Sequence, residues 1–312
     1  MPYLDDLTHR LAVGISQLPE EVREKHARYL LAQQRSDGGF AGREGGSDLY
    51  YTGFALRGLA MLGKLFGEPA ERAGAFLQSR FHGRESVVDF LSLIYGGMLL
   101  RMGGVDIFQT ADANWKTSVA AALLQLRRAD GGFAKAQEGN ASSTYYSFLV
   151  LLCLEQLGVS LPEPEKLVAF VKSQEAHDGG FFEIRASKRA GTNPTAAAIA
   201  TLRTLNALDR ETCDLTCEFL VEMQTDEGGL RANTRIPIAD LLSSFTGLLT
   251  LEDIGGGTQI NRRELARFVR SLELDDGGFH GAAWDPACDV EYTFYGLGRR
   301  ALLATPAETS HG

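Results

Sequence analysis

Two short segments concentrate positive charge on an acidic chain. One reads Phe182-Glu183-Ile184-Arg185-Ala186-Ser187-Lys188-Arg189, the other Arg231-Ala232-Asn233-Thr234-Arg235, while the whole chain carries a formal net charge of −9. Guanidinium forks and ammonium groups brought together in this way can hold a diphosphate through charge-assisted hydrogen bonds. Arg185 and Arg235 lead the candidates, followed by Lys188, Arg189 and Arg231; an ordinary solvated, salt-bridged surface is the alternative. Carboxylates stand at comparable places, at Asp48, Asp89, Asp240 and Asp289, and their simplest role is helix capping. Asp240 follows the second basic segment, and with Asp289 and Glu291 it could form a paired site for magnesium or for proton transfer. Aromatic residues gather nearby in sequence: Tyr50, Tyr51 and Phe54; Phe90 and Tyr95; Tyr145, Tyr146 and Phe148; Phe245; Tyr292, Phe294 and Tyr295; and Trp284 in a loop. Such rings pack against long unsaturated hydrocarbon and can face a developing carbocation, or they can simply fill a core.

Several other chemistries find no support. The six histidines, among them His82 and His311, form no HExxH or other metal spacing. Cys213 and Cys217 lie four residues apart on a helical stretch, as buried packing residues would. Cys153 and Cys288 complete the set without a CxxC pair, which fits a reducing compartment. No nucleophile elbow, phosphate loop or dinucleotide fingerprint is present. The absence of a basic stripe or tail argues against nucleic acid. No apolar run reaches 18 residues and the first residues do not read as a signal peptide, so a cytoplasmic protein without a transmembrane segment is expected.

These candidates need elements to position them, and a repeat supplies the elements. Asp-Gly-Gly-Phe occurs in RSDGGF, RADGGF, AHDGGF and LDDGGF and loosens to TDEGGL. The first glycines are Gly38, Gly131, Gly179, Gly228 and Gly277, at spacings of 93, 48, 49 and 49 residues. The first interval is nearly double the rest, which implies a decayed copy near Phe81-His82-Gly83 and six units of about 48 residues. Before each Gly-Gly lies an amphipathic stretch, as at 21–34, 163–174, 209–224 and 261–272. In Leu167, Phe170 and Val171 the apolar positions follow helical spacing. After it comes a more apolar stretch, at 48–62, 89–102, 142–157, 192–205, 240–251 and 289–303, each opened by Ser, Thr or Asp as an N-cap. The fourth of these is rich in small residues from Thr195 to Ala200. Six apolar inner helices inside six amphipathic outer ones satisfy both patterns. The expected fold is therefore all-α, an alpha/alpha six-hairpin barrel forming one domain over 1–312, with an open solenoid as the alternative. In a ring the inner-helix N-termini and the basic loops would share one rim, which favours an anion there.

The segment from Gln34 to Gly63, QRSDGGFAGREGGSDLYYTGFALRGLAMLG, resembles the repeat of protein prenyltransferase beta subunits, a superfamily that also includes squalene–hopene and oxidosqualene cyclases. The resemblance covers nearly the whole chain. It implies a terpenoid-cyclase-type toroid, a prenyl diphosphate as ligand, and either a separate alpha-type subunit or a homo-oligomer. In those beta subunits an Asp, a Cys two residues on and a His in the last inner helix hold zinc. Here the matching positions are Asp240, Leu242 and Tyr292, so no zinc is expected, while magnesium remains open. The diphosphate-binding basic residues of the family fall near Arg231 and Arg235, with Arg185 one unit earlier. The cyclases use a DxDD acid, which this chain lacks. Its closest string, Leu274-Asp275-Asp276-Gly277, lies in a repeat turn. The resemblance thus implies a prenyltransferase-like enzyme, a terpene cyclase of the same fold, or a prenyl-lipid or peptide binder without turnover.

Overall fold

The computed structural model describes residues 1–81, 85–139 and 141–305. These residues form thirteen helices and one two-stranded sheet. The helices are α1 (Tyr3–Ser16), α2 (Glu20–Ala32), α3 (Leu49–Met61), α4 (Gly67–Arg80), α5 (Val87–Met102), α6 (Trp115–Leu124), α7 (Thr144–Leu157), α8 (Pro164–Lys172), α9 (Thr192–Thr204), α10 (Arg210–Glu222), α11 (Leu241–Asp253), α12 (Arg262–Ser271) and α13 (Val290–Ala304). Between α12 and α13 lies the hairpin β1 (His280–Ala282) and β2 (Asp285–Cys288). From α2 onward the helices alternate in the expected order: even-numbered ones bury one face and expose the other, α6 being largely apolar in sequence, and odd-numbered ones are largely buried. The chain divides into two compact units. The first comprises Met1–Leu123, Leu152–Ser160 and Leu272–Ala304; the second comprises Leu124–Leu151, Leu161–Ser271 and Thr305–Gly312.

The repeat motif has a mechanical explanation. Its first glycine is in the left-handed region every time, with φ of 88° at Gly38, 93° at Gly131, 81° at Gly179, 92° at Gly228 and 100° at Gly277. A side chain there would also overlap the backbone of the following outer helix, at the carbonyls of Arg72, Lys166, Leu215 and Glu264. The second glycine lies under a ring of that same helix: Phe76, Phe170, Phe219 and Phe268 in turn. Glycine is required for backbone conformation and for close approach together. The Phe that follows is fully buried, and its N–H is satisfied by a hydroxyl from the first turns of the inner helix. Phe40 donates to Thr52 Oγ1 at 2.9 Å, Phe133 to Ser147 Oγ at 2.8 Å and Phe181 to Thr195 Oγ1 at 2.9 Å; at the loosened copy Leu230 donates to Ser244 Oγ at 2.7 Å. A buried N–H left unbonded would cost about 1–3 kcal/mol.

Capping follows the sequence expectation at three inner helices and departs from it at three. Asp48, Asp240 and Asp289 accept from the N–H of Tyr51, Ser243 and Tyr292. At α7 the Tyr146 N–H goes to Ser143, one residue beyond the expected Ser142, whose hydroxyl donates to Asp130 Oδ1 at 2.6 Å instead. At α5 the cap is Ser86, and Asp89 is the third residue inside, taking the Ser86 hydroxyl at 2.7 Å in a reciprocal capping arrangement. At α9 the cap is Gly191. Thr192 instead donates its N–H to Ala232 O and its hydroxyl to Arg231 O, tying α9 to the next repeat's loop. Of the decayed-repeat segment, His82 and Gly83 lie outside the described residues, as does His311.

In an open solenoid the terminal repeats would lie far apart; here the last packs on the first. Gly277 abuts the Lys25 backbone and Gly278 the Tyr29 ring of α2. His26 is wholly buried and stacks on Phe279, with centroids 4.8 Å apart. Its Nδ1 accepts from Gly278 N at 3.1 Å, which leaves Nε2 to donate to Glu273 Oε1 at 3.1 Å. Lys25 Nζ reaches the same oxygen at 2.7 Å, and Arg300 pairs with Glu273 Oε2. At three other copies the residue at Glu273's place braces the next outer helix through its carbonyls: Gln34 bonds Pro69 O, Arg127 bonds Pro162 O and Gln224 bonds Asn261 O. At the closure a carboxylate paired with Lys25 and Arg300 takes the place of those contacts.

Helix α1 was not anticipated. It packs on α13 and α3, with Gly14 seated on the Ala301 backbone. Tyr95 of α5 donates its hydroxyl to Leu4 O at 2.8 Å and lies 2.5 Å from Thr8 Oγ1. Tyr3 N meets Glu155 Oε2 at 3.4 Å, and Gln156 donates to Asp5 Oδ1 at 3.2 Å. These partners occupy the middle and C-terminal halves of the inner helices, so α1 covers that end of the first unit.

Candidate functional site

In the second unit the two basic loops lie side by side. Arg189 Nη1 donates to Thr234 Oγ1 at 3.3 Å, and the Thr192 contacts to Arg231 O and Ala232 O fasten the loop bases. Arg185, Lys188, Arg189 and Arg235 are exposed. Arg231 is directed elsewhere, since its Nη2 donates to Glu222 O at the end of α10 at 3.2 Å. Within the first loop, Glu183 has a local structural job: it accepts from Ser143 Oγ, and its carbonyl takes Thr144 N at 2.9 Å. Burial raises the Glu183 carboxyl above its usual range, against the opposing Ser143 bond. Below the loops the inner helices present small or short groups. Asn193 Oδ1 accepts from Thr246 Oγ1 at 2.7 Å, and Asn193, Ala196, Leu242 and Thr246 are only half-buried. Tyr145 is 38% exposed, Tyr146 is half-buried in edge contact with it, and Phe245 is 3% exposed and belongs to the core. Asp240 keeps both oxygens on Ser243, from the N–H at 2.7 Å and the hydroxyl at 2.8 Å.

The first unit assembles a carboxylate and aromatic constellation. Tyr50 donates to Glu291 Oε1 at 2.6 Å. Tyr50 is in edge contact with Tyr51 and Phe54, and Phe54 meets Phe294 and Tyr295 at 5.5 and 5.3 Å. Burial raises the Glu291 carboxyl above its usual range although the Tyr50 bond opposes this; the neighbouring Asp289 charge adds to the rise. Asp289 is buried and also raised by burial, but the Tyr292 N–H and Arg43 work the other way. Arg43 pairs with Asp285 at 2.7 Å and Asp289 at 3.5 Å, and its guanidinium lies 4.9 Å from the Tyr292 ring centroid. Two carboxyls two residues apart are therefore treated differently: Asp289 is capped and charge-paired, while Glu291 is held by a phenol among aromatic rings. Trp284 sits at the β1–β2 turn and is 64% exposed. Of the sequence candidates, Tyr50, Tyr51, Asp289, Glu291, Tyr292 and Tyr295 thus meet in one unit, and Arg185, Lys188, Arg189 and Arg235 in the other. Arg43, whose position in a glycine-rich loop carried no periodic signal, is the residue that sequence reasoning missed. Among the described residues no three His, Cys, Asp or Glu side chains converge as a metal site.

The sequence matches the prenyltransferase alpha-alpha toroid domain over residues 16–82, 91–235 and 233–310. The chain belongs to this family. Its fold is accordingly the all-α toroid of the terpenoid cyclase and protein prenyltransferase type. Comparison with curated protein sequences gives no match. Among solved structures the toroid is similar to a Candida albicans protein geranylgeranyltransferase-I complexed with GGPP, at 16% identity and a TM-score of 0.72, covering 88% of this chain and 89% of that one. It is also similar to a single-residue variant of the type II terpene cyclase MstE from Scytonema in complex with geranylgeranyl dihydroxybenzoate, at 13% identity and a TM-score of 0.64, covering 93% and 98%. A GH76A alpha-1,6-mannanase from Salegentibacter sp. HEL1_6 shares the fold too, at 13% identity and a TM-score of 0.60, covering 91% and 98%. Chemistries this diverse on one toroid mean that the reaction must be argued from side chains. No helix among the described residues is long and apolar enough to cross a membrane.

Proposed function

We propose that this toroid is a prenyltransferase-like enzyme that binds a prenyl diphosphate, with the diphosphate on the paired loops of the second unit. The observation that carries the reading is the Arg189–Thr234 contact, which joins two exposed basic segments on a chain of net charge −9. Arg185, Lys188, Arg189 and Arg235 would neutralise the charge that develops on the diphosphate as the C1–O bond of the allylic ester breaks. The allylic cation would then take the acceptor's nucleophile, which gives up its proton. Magnesium travelling with the diphosphate fits this scheme. The zinc of the protein prenyltransferases does not fit: at the three matching positions Asp240 is committed to Ser243, Leu242 has no donor atom, and Tyr292 is a phenol whose burial favours the protonated form. The test is calorimetric titration with farnesyl and geranylgeranyl diphosphates. The double variant Arg185→Glu/Arg235→Glu should bind at least tenfold more weakly with unchanged circular dichroism. Unaltered affinity in a folded variant would remove these loops from the site.

A second reading is cyclisation of an isoprenoid, favoured by Glu291. Its carboxyl, in which burial favours the protonated form and which stands near Phe54, Phe294 and Tyr295, could protonate an alkene while the rings face the resulting cation. Mass spectrometry of products separates the readings. Transfer releases diphosphate, whereas protonation-initiated cyclisation leaves it attached and is lost in Glu291→Gln.

A further inference from the structure

The inner face of α3 carries one charged residue deeper than the Glu291 constellation. Gly58 of α3 lies against Leu30 of α2, and Ala55 and Leu59 are fully buried, so that side faces the outer helices. Phe54 reaches α13 through Phe294 and Tyr295, while Gly53 rests on Ser92 of α5. Tyr50 and Arg57 fall on the remaining arc, between the residues facing α13 and those facing α5. They stand seven residues apart on one stripe, about 10 Å along the axis.

The Arg57 guanidinium is half-buried and lies 5.3 Å from the Phe54 ring centroid and 5.5 Å from that of Tyr95. Those ring contacts use its faces. Among the described residues it makes no ion pair and no hydrogen bond, so its five N–H donors have no protein acceptor there. Its neighbours on α5 and α7 are neutral, and the nearby carboxylates bond elsewhere. Burial holds the Tyr95 phenol up to about 12 and pushes the Cys153 thiol well above its ordinary range, so both stay neutral. Asp5 is bonded by Gln156, and Glu155 by Tyr3 N. A cation on an inner helix, flanked by two aromatic rings and without an ion pair among the described residues, matches a ligand that brings its own anion.

We propose that Arg57 is an anion receptor in the first unit, taking the carboxylate or phosphate head of an amphipathic isoprenoid whose hydrocarbon lies along Phe54 and Tyr50 toward Glu291. The hydrocarbon half rests on the isoprenoid reading above; the anionic half rests on Arg57 alone. This places the polar end of the ligand against α1, whose contacts to Tyr95 fix one wall of the guanidinium cage. It also leaves the opposite, uncharged end of the chain next to the Glu291 carboxyl.

The experiment compares farnesoic acid with farnesol by calorimetry at pH 8, in wild type, Arg57→Gln and Arg57→Lys, with thermal melts as a folding control. Wild type should bind the acid at least tenfold more tightly than the alcohol. Arg57→Gln should bring that ratio within twofold while keeping farnesol affinity, and Arg57→Lys should retain a several-fold preference. If Arg57→Gln fails to fold, the ratio in wild type and Arg57→Lys still decides. A ratio near one in wild type, or an undiminished ratio in folded Arg57→Gln, overturns the receptor. If farnesyl diphosphate binds and is weakened by Arg185→Glu/Arg235→Glu while the acid shows no preference, only the Arg57 proposal falls. If no isoprenoid binds at all, both proposals fall.

Discussion

Replacing Glu273 by Gln tests how the first and last repeats are joined. Burial alone would raise this carboxyl, but hydrogen bonds from His26 and Lys25 and the charge of Arg300 overcome it and hold it at about 2. Its side chain is 9% exposed, so solvent screens these interactions little. Lowering a glutamate from its ordinary value to about 2 corresponds to about 3 kcal/mol of preference for the ionised form in the native state. Removing the charge also leaves Lys25 and Arg300 facing one another across a neutral amide. Glu273→Gln should therefore lower stability at pH 7 by about 2–3 kcal/mol, or roughly 3–5 °C in Tm. The sign with pH is definite. A depressed carboxyl stabilises fully above its unfolded pKa and loses that contribution as pH falls toward the folded one. The gap between wild type and variant should narrow steadily between about pH 5 and pH 2. His26 acts in the same direction: burial lowers its pKa against the pull of Glu273, so acid that charges the unfolded chain penalises the folded one. Thermal melts of both proteins from pH 7 down to pH 3 are the assay. A gap that stays constant across that range, or no gap at pH 7, would refute the charged closure.

Three further outcomes follow from the same geometry. Gly131→Ala should cost at least about 2 kcal/mol, because φ is 93° and the Lys166 backbone occupies the space, whereas Gly45→Ala, at φ 87° with nothing nearby, should cost about 1 kcal/mol. Urea unfolding of the pair separates conformation from contact. Thr195→Val removes the acceptor of the Phe181 N–H and should destabilise by about 1–3 kcal/mol, read in the same way, while Thr195→Ser should recover most of it. Tyr50→Phe removes a hydrogen bond that favours ionised Glu291 and should raise that carboxyl further. If turnover needs protonated Glu291, the alkaline limb of the pH profile should move upward in this variant, and an unmoved limb would exclude Glu291 as the acid.

The repeat was legible because it is enforced by local chemistry at fixed spacing. Gly38, Gly131, Gly179, Gly228 and Gly277 need positive φ wherever they stand, and an apolar stretch after each one must be buried. The hydroxyls of Thr52, Ser147, Thr195 and Ser244 recur with nearly the same period, which makes the partners of these buried N–H groups a repeated feature of the sequence as well. Asp89, Ser142 and Thr192 are not the caps that their positions suggest, because several polar residues near a helix start compete for that role, and only backbone geometry decides among them. Helix α1 escaped because it lies outside the repeat, and its apolar residues Leu4, Leu11 and Ile15 have no second copy for comparison.

The candidate sites divide along the same line. Charge and aromatic content are properties of composition, so the sequence alone could select Arg185, Arg235, Tyr50 and Glu291 as residues worth watching. Which of them meet depends on contacts between residues far apart in the chain. Tyr50 finds Glu291 across 241 positions, and Arg231 turns to a helix end instead of joining the other cations. That Arg57 makes no ion pair among the described residues is likewise a tertiary fact, since a half-buried charge is defined by what surrounds it. Sequence determined the architecture, because repeated short-range requirements add up along the chain. Tertiary structure decided the chemistry, because the energy of a charge or a proton is set by neighbours that sequence spacing does not specify.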